Sequence, residues 1–458
     1  MSKKIIYLLS LLMALSLVFA SCKKNSVTDA LQNQPDTPDT TKPPTEDLTG
    51  GLFTDADKLA GYATKPVQET EVAKYYNKDY MRNPVITVVN GTNVVIFYEV
   101  RYQTPGAGND VALTGTNAVD IVYIQSYDGG VSFDTTIGDP KYVGGSKTTD
   151  PKNSHGAPIV FYDKTHKKIV VVASAGIGLS SGTLQNGSSK IEYSVAPIND
   201  DGSVGNFGQW REVSVSDGTG NFKQFGTHSA RGTVYNNNLL LPVTLVTYNQ
   251  ANVSQSTFGY SVYQGTTTDN GTTYSWKKLH GPVTMSSTAV KETRIVSATS
   301  ESAYTSISVP AGDANLYQAA NGAVPNPTSI KAGDGSAGTL VVKDWKGATS
   351  YSPSDYAGTF DTANGTPQAI VSHVLNTESN LAVRLVDGNF KTQQKNSFNL
   401  GGSYARNSKS SSLDILKDGT IVMAAEGGVA DSTVKGSQTF YIYFNRYTQA
   451  YLTAQTGN

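Results

Sequence analysis

From about Phe53 to the C-terminus, strand-like apolar runs alternate with Asn-Gly, Asp-Gly and Gly-Gly pairs, and no stretch sustains a 3.6-residue apolar period over three turns. Val85 to Val89 and Val94 to Glu99 flank Asn90-Gly91. Ile159 to Tyr162 and Ile169 to Val172 flank an Asp-Lys-Thr-His turn, and Leu413 to Leu416 and Ile421 to Ala424 flank Asp418-Gly419. Each pair reads as a β-hairpin, because such dipeptides supply the positive φ of tight turns. About four hundred residues of hairpins exceed one ordinary sandwich, and every unpaired strand edge would be an aggregation hazard. With no second linker in sight, radial closure into a propeller is the solution that protects the edges within one domain. An all-β body over residues 53–458 is the expectation.

Ahead of this body, Lys3 and Lys4 precede an apolar run from Ile5 to Ala20 that is too short for a bilayer span and shaped like a secretory signal. Phe19-Ala20-Ser21-Cys22 then resembles a lipobox, in which small residues before a cysteine admit a lipoprotein peptidase once the thiol is acylated. Cys22 is the single cysteine of the chain, which leaves nothing for a disulfide or a thiolate metal site. Residues 1–21 are expected to be the signal peptide and Cys22 the lipidated mature N-terminus. Residues 22–52, polar and rich in Pro, Thr and Asp, form the tether. The protein is thus expected to be exported and membrane-anchored, at the periplasmic face or the cell surface. An ordinary signal peptide with an incidental cysteine is the other reading.

A formal net charge of -1 with 16% charged residues gives no electrostatic footprint for nucleic acid. His155, His228 and His373 sit near strand ends at spacings that match no compact metal motif. No Gly-x-Ser-x-Gly elbow is present, and no phosphate-cradling glycine loop opens a helix. No cofactor and no metal are expected, and a monomer is.

Ser126-Tyr127-Asp128-Gly129-Gly130-Val131-Ser132-Phe133 matches the Asp box, Ser-x-Asp-x-Gly-x-Thr-Trp. Thr267 to Tyr274 is a looser copy, and Leu381 to Asn389 a decayed third. Such boxes are structural: the short polar residue and the Asp bond turn backbone, and Gly supplies positive φ. Met81-Arg82-Asn83-Pro84, followed by a strand, Asn-Gly, a strand and Glu99-Val100-Arg101-Tyr102, resembles the opening blade of the sialidases, which begins Arg-Ile-Pro. The resemblance runs with gaps from about Arg82 to Glu426. It implies a six-bladed β-propeller of the sialidase type that acts on terminal sialic acids of glycoconjugates.

Sialic acid carries a carboxylate on its anomeric carbon, so a carboxylate nucleophile would meet like charge; sialidases use a tyrosine. Arginines clamp the substrate carboxylate with forked bonds, a Glu takes the phenol proton, and an Asp protonates the leaving oxygen. The resemblance puts Arg82 at the first clamp arginine and Arg101 at a second-strand arginine that in some family members also reaches the ligand. Asp110 falls on the acid/base loop, and Glu292 at the base, although it also suits a strand residue paired with Arg294. Glu426 falls at the glutamate that holds the first arginine. Arg231 is an added anion contact or a surface arginine.

Three positions depart from the family pattern. Ser308 and Glu378 stand where clamp arginines are expected, and Ser410 stands at the tyrosine. Tyr404 and Arg406 lie just upstream and would return a phenol and a guanidinium after a register slip. The alternative function is a catalytically impaired propeller that binds glycans or proteins at the membrane surface. A weaker one is a neutral-sugar glycosidase using Asp110 and Glu378.

Overall fold

Both faces of the strands are covered, which is why the apolar runs in the sequence are continuous rather than alternating. The strand Asn93–Arg101 is buried at every position. Val95 and Phe97 face one neighbouring sheet, where they meet Val160, Ile169 and Val171. Val94, Ile96, Tyr98 and Val100 face the other way, onto Val422, Ala424 and Phe444. A third core joins Phe161, Val170 and Val172 to Leu239, Leu241 and Tyr263.

The structure is a computed structural model. It describes residues 68–73, 79–102, 118–134, 141–148, 150–179, 188–215, 222–235, 237–249, 256–285, 292–299, 302–308, 315–318, 339–342, 355–361, 367–376, 379–387, 398–399, 410–417, 420–427, 441–448 and 451, with backbone pairing alone for the strands from 296 to 399. Cys22, the leader and the tether lie outside them. No helix among the described residues is long and apolar enough to cross a membrane.

Among the described residues the strands form six sheets. Sheet I comprises Tyr80–Val89, Asn93–Arg101, Val119–Ser126 and Lys141–Tyr142, and sheet II His155–Asp163, Lys168–Gly176, Ser189–Pro197 and Arg211–Glu212. Sheet III opens with two short pieces, Gln224–Gly226 and Thr233–Tyr235, that both pair with Asn238–Thr247, and continues with Thr257–Thr266 and Ser275–Met285. Sheet IV holds Glu292–Thr299, Ser302–Ser308, Asn315–Gln318 and Thr339–Val342. Sheet V holds Asp355–Asp361, Pro367–Asn376, Ser379–Asp387 and Phe398–Asn399. Sheet VI contains Ser411–Ile415, Ile421–Gly427 and Tyr441–Tyr447, and its outer strand is Gln68–Ala73, brought from the start of the body. Gln68 stands opposite Arg446 and Thr70 opposite Phe444, so the first described strand is fastened to the last sheet.

Each sheet packs on the next through its leading strands, and the leading strand of sheet VI returns to that of sheet I. An all-β propeller architecture results. Between the two opening pieces of sheet III the chain crosses to sheet II, where Ala230 and Arg231 pair in parallel with Ile159 and Val160. Gly232 is required there, since a Cβ would strike the Phe161 ring.

The hairpins read from sequence are present: Val89 faces Asn93 across Asn90 and Gly91, which have φ of 53° and 76°, and Asp163 faces Lys168. The two box-like turns share one wiring. Asp128 Oδ1 accepts from Ser132 N at 2.9 Å and Oδ2 from Ser132 Oγ at 2.6 Å, while Asp269 does the same with Thr273 at 2.8 and 2.6 Å. Phe133 packs edge-on against Phe444 at 4.9 Å, and Tyr274 donates to Asp163 at 2.7 Å. Leu381 to Asp387 is a strand of sheet V, and Gly388 and Asn389 lie outside the described residues.

Candidate functional site

Register sets one edge of the sheets apart. In sheet I, Tyr80, Arg101 and Val119 stand opposite one another. Arg82, Arg101, Tyr102 and Ala118 therefore share an upper edge. The Asn90-Gly91 turn and the first box-like turn occupy the lower one.

Sheets I and II each open this edge with the same bulge. Asn83 in Arg82-Asn83-Pro84 has φ 53° and Ala157 in Gly156-Ala157-Pro158 has φ 52°, and the register shifts at both places. The displaced N–H goes to a carboxylate on the second strand of the preceding sheet. Asn83 N donates to Glu426 Oε1 at 2.6 Å, and Ala157 N to Glu99 Oε1 at 2.6 Å. Hydroxyls repeat the relation further round: Thr227 N donates to Ser174 Oγ at 2.7 Å, and Thr244 Oγ1 bonds Thr293 Oγ1 at 3.0 Å. The residue one step earlier is opposite that second-strand group in its own sheet or precedes the bonded residue. Arg82, Gly156, Gly226 and Glu292 thus hold equivalent places in sheets I to IV. Ser410, whose carbonyl accepts from Glu426 N at 2.8 Å, holds that place in sheet VI.

Two guanidinium–carboxylate pairs sit at this edge. Glu426, fully buried, takes Arg82 Nε at 2.8 Å on the same Oε1 that holds Asn83 N. Arg82 keeps 13% of its side chain exposed. Glu99, also fully buried, takes Arg101 Nε at 2.8 Å and Nη2 at 2.6 Å on Oε2. Its Oε1 accepts from Asn83 Nδ2 at 2.8 Å as well as from Ala157 N. A buried carboxylate is tolerated only with such partners, and unpaired it would cost several kcal/mol, about 3 or more.

Neighbouring groups add polarity. Asp120 accepts from Tyr102 OH at 3.0 Å and from Thr148 N at 2.9 Å, and burial raises its carboxyl above the usual range against the pull of those bonds. His155 Nε2 meets Glu192 Oε2 at 2.6 Å, with its ring stacked on Trp210 at 3.9 Å. The hydrogen bond from His155 holds the Glu192 carboxyl below its usual value.

Arg231 stands elsewhere: it lies opposite Val160 and gives Nη1 to Asp414 Oδ1 at 2.9 Å, while Asp414 Oδ2 takes Val88 N at 2.7 Å near the lower edge. Arg294 gives Nε to Ser229 O at 3.3 Å. Glu292 faces Ser308 at the head of sheet IV. Asn376 faces Ser379, and Glu378 between them in sequence lies outside the described residues, as do Asp110, Tyr404 and Arg406. No group of three or more His, Cys, Asp or Glu among the described residues is placed to hold a metal.

Asp414 escaped the sequence reading, and Asn83 and Glu99 entered it only as parts of a motif. Glu99 had a signal, since it interrupts a run of Val, Ile, Phe and Tyr buried on both faces. Asn83 had one too, in standing where the family carries isoleucine.

No family model matches the sequence, and no curated protein does. Solved structures do. The Hadza microbial sialidase Hz136 is 12% identical with a TM-score of 0.59, over 84% of this chain and 69% of that one. The Trypanosoma rangeli sialidase is 14% identical with a TM-score of 0.57, over 85% of this chain and 60% of its own length. The intramolecular trans-sialidase from Ruminococcus gnavus is 13% identical with a TM-score of 0.55, over 89% and 98%. The fold of this chain is therefore the sialidase fold.

Proposed function

We propose that this chain is a sialidase-like glycoside hydrolase acting on terminal sialic acids of glycoconjugates, a six-bladed propeller exported and held at a membrane by lipid on Cys22. The observation that carries the reading is the Arg82–Glu426 pair. It fixes a guanidinium at the upper edge, at a place equivalent to those of Glu292 and Ser410. A guanidinium so held recognises a carboxylate with forked, charge-assisted bonds, and the neighbouring structures are sialidases.

In this reading Arg82 and Arg101 bind the sugar carboxylate and Glu426 positions Arg82. Asp110, on the segment between Tyr102 and Ala118, delivers the proton to the leaving oxygen. Glu292 is the base for a phenol, and Tyr404, with Arg406 beside it, is the phenol nearest Ser410 in the chain.

Incubation of the full chain with 3′-sialyllactose is expected to release free sialic acid, and Arg82→Ala to lower the rate about a hundredfold or more. Binding without release would replace the hydrolase with a glycan-binding propeller. Neither binding nor release would remove the sialic acid reading altogether.

A further inference from the structure

The two guanidinium–carboxylate pairs at the upper edge are joined through one residue. Asn83 gives its backbone N–H to Glu426 Oε1 at 2.6 Å and its side-chain Nδ2 to Glu99 Oε1 at 2.8 Å. Glu426 holds Arg82 and Glu99 holds Arg101. We propose that Asn83 is a positioning residue that couples the two pairs, so that Arg82 and Arg101 are set relative to each other as one anion-binding unit. The inference rests on the reading of both arginines as ligands of a sugar carboxylate.

Three features support the assignment. First, the geometry is demanding: a residue preceding proline with φ 53° is strained for most side chains, whereas Asn, Asp and Gly tolerate it. Second, the amide is not needed for the bulge itself. Ala157 occupies the corresponding place in sheet II with φ 52° and no polar side chain. The side chain of Asn83 thus has a task beyond the backbone turn. Third, an amide donates to Glu99 while adding no charge. An aspartate would add a third carboxylate to Glu99 and Glu426 against the two guanidinium groups of Arg82 and Arg101.

The test uses Asn83→Gly and Asn83→Asp, both compatible with the positive φ. In the full chain, the arginine Nε–Hε signals of Arg82 and Arg101 are followed by NMR, which requires no ligand. Coupling predicts that Asn83→Gly moves both signals. A response confined to either arginine, or none, overturns the proposal.

Binding of 3′-sialyllactose is then measured from pH 5 to 7.5. Asn83→Gly is expected to weaken it about tenfold at every pH, the loss of one charge-assisted bond. Asn83→Asp is expected to weaken it further, because it sets a third carboxylate beside Glu99 and Glu426. Affinities equal to the native chain at every pH also overturn the coupling. A native chain that binds no sialylated probe contradicts the proposed function, and the NMR outcome then decides the coupling by itself.

Discussion

Glu426 Oε1 accepts the Arg82 Nε–H at 2.8 Å across 344 residues of sequence, and in doing so it ties the second strand of sheet VI to the leading strand of sheet I. The same seam is closed on the outside by Gln68–Ala73 pairing with Tyr441–Tyr447. The ion pair and the strand addition thus add to the apolar core and the backbone bonds from Ile86 N and Val88 N that join the last sheet to the first.

Removing Glu426 is expected to cost more than one surface ion pair. Glu426→Ala removes the buried acceptor that Arg82 Nε and the Asn83 N–H share, and the expected loss is about 3 kcal/mol. Glu426→Gln keeps an acceptor oxygen and should lose less. Urea unfolding of the three proteins gives the ranking; equal midpoints for native chain and alanine variant would refute the buried-pair account.

Gly130 tests the lower edge. It has φ +89°, and a Cβ there would run into the Phe444 ring, which also receives Phe133. Gly130→Ala meets strain and collision together, so a loss of about 2 kcal/mol or more is expected in thermal unfolding. A shift within about 1 °C would show that the turn and Phe444 are not in contact.

Glu192 sets a pH dependence. Its carboxyl is lowered in the folded chain, chiefly by the His155 hydrogen bond and against the opposing effect of burial. A depressed carboxyl adds stability above the unfolded glutamate value of about 4.3 and loses it as pH falls through the native value. The difference in unfolding midpoint between the native chain and Glu192→Gln should be full near pH 6 and shrink as pH drops below about 4. A difference independent of pH over that interval would contradict the assignment.

The architecture was legible because hairpins advertise themselves locally. Asn90-Gly91 and the turn after Asp163 mark their strands through the φ each turn requires, and the unbroken apolar run 94–98 reports burial on both faces. Of the candidate site, the sequence singles out a residue only where a motif forces one residue type, as with Arg82. Pairings such as Asn83 with Glu426 across 343 residues, or Arg231 with Asp414 across 183 residues, depend on which sheets the ring brings together. No local pattern encodes that neighbour relation. Arg231 illustrates the consequence, since its type suits an anion contact but the structure gives it a carboxylate partner towards the opposite edge.

The most direct measurement is a crystal structure of the full chain with bound sialic acid. The account predicts the sugar at the upper edge, its carboxylate within hydrogen-bonding distance of the Arg82 guanidinium and the Arg82–Glu426 pair intact. A sugar bound elsewhere on the propeller, or at the upper edge with its carboxylate turned away from Arg82, would contradict it.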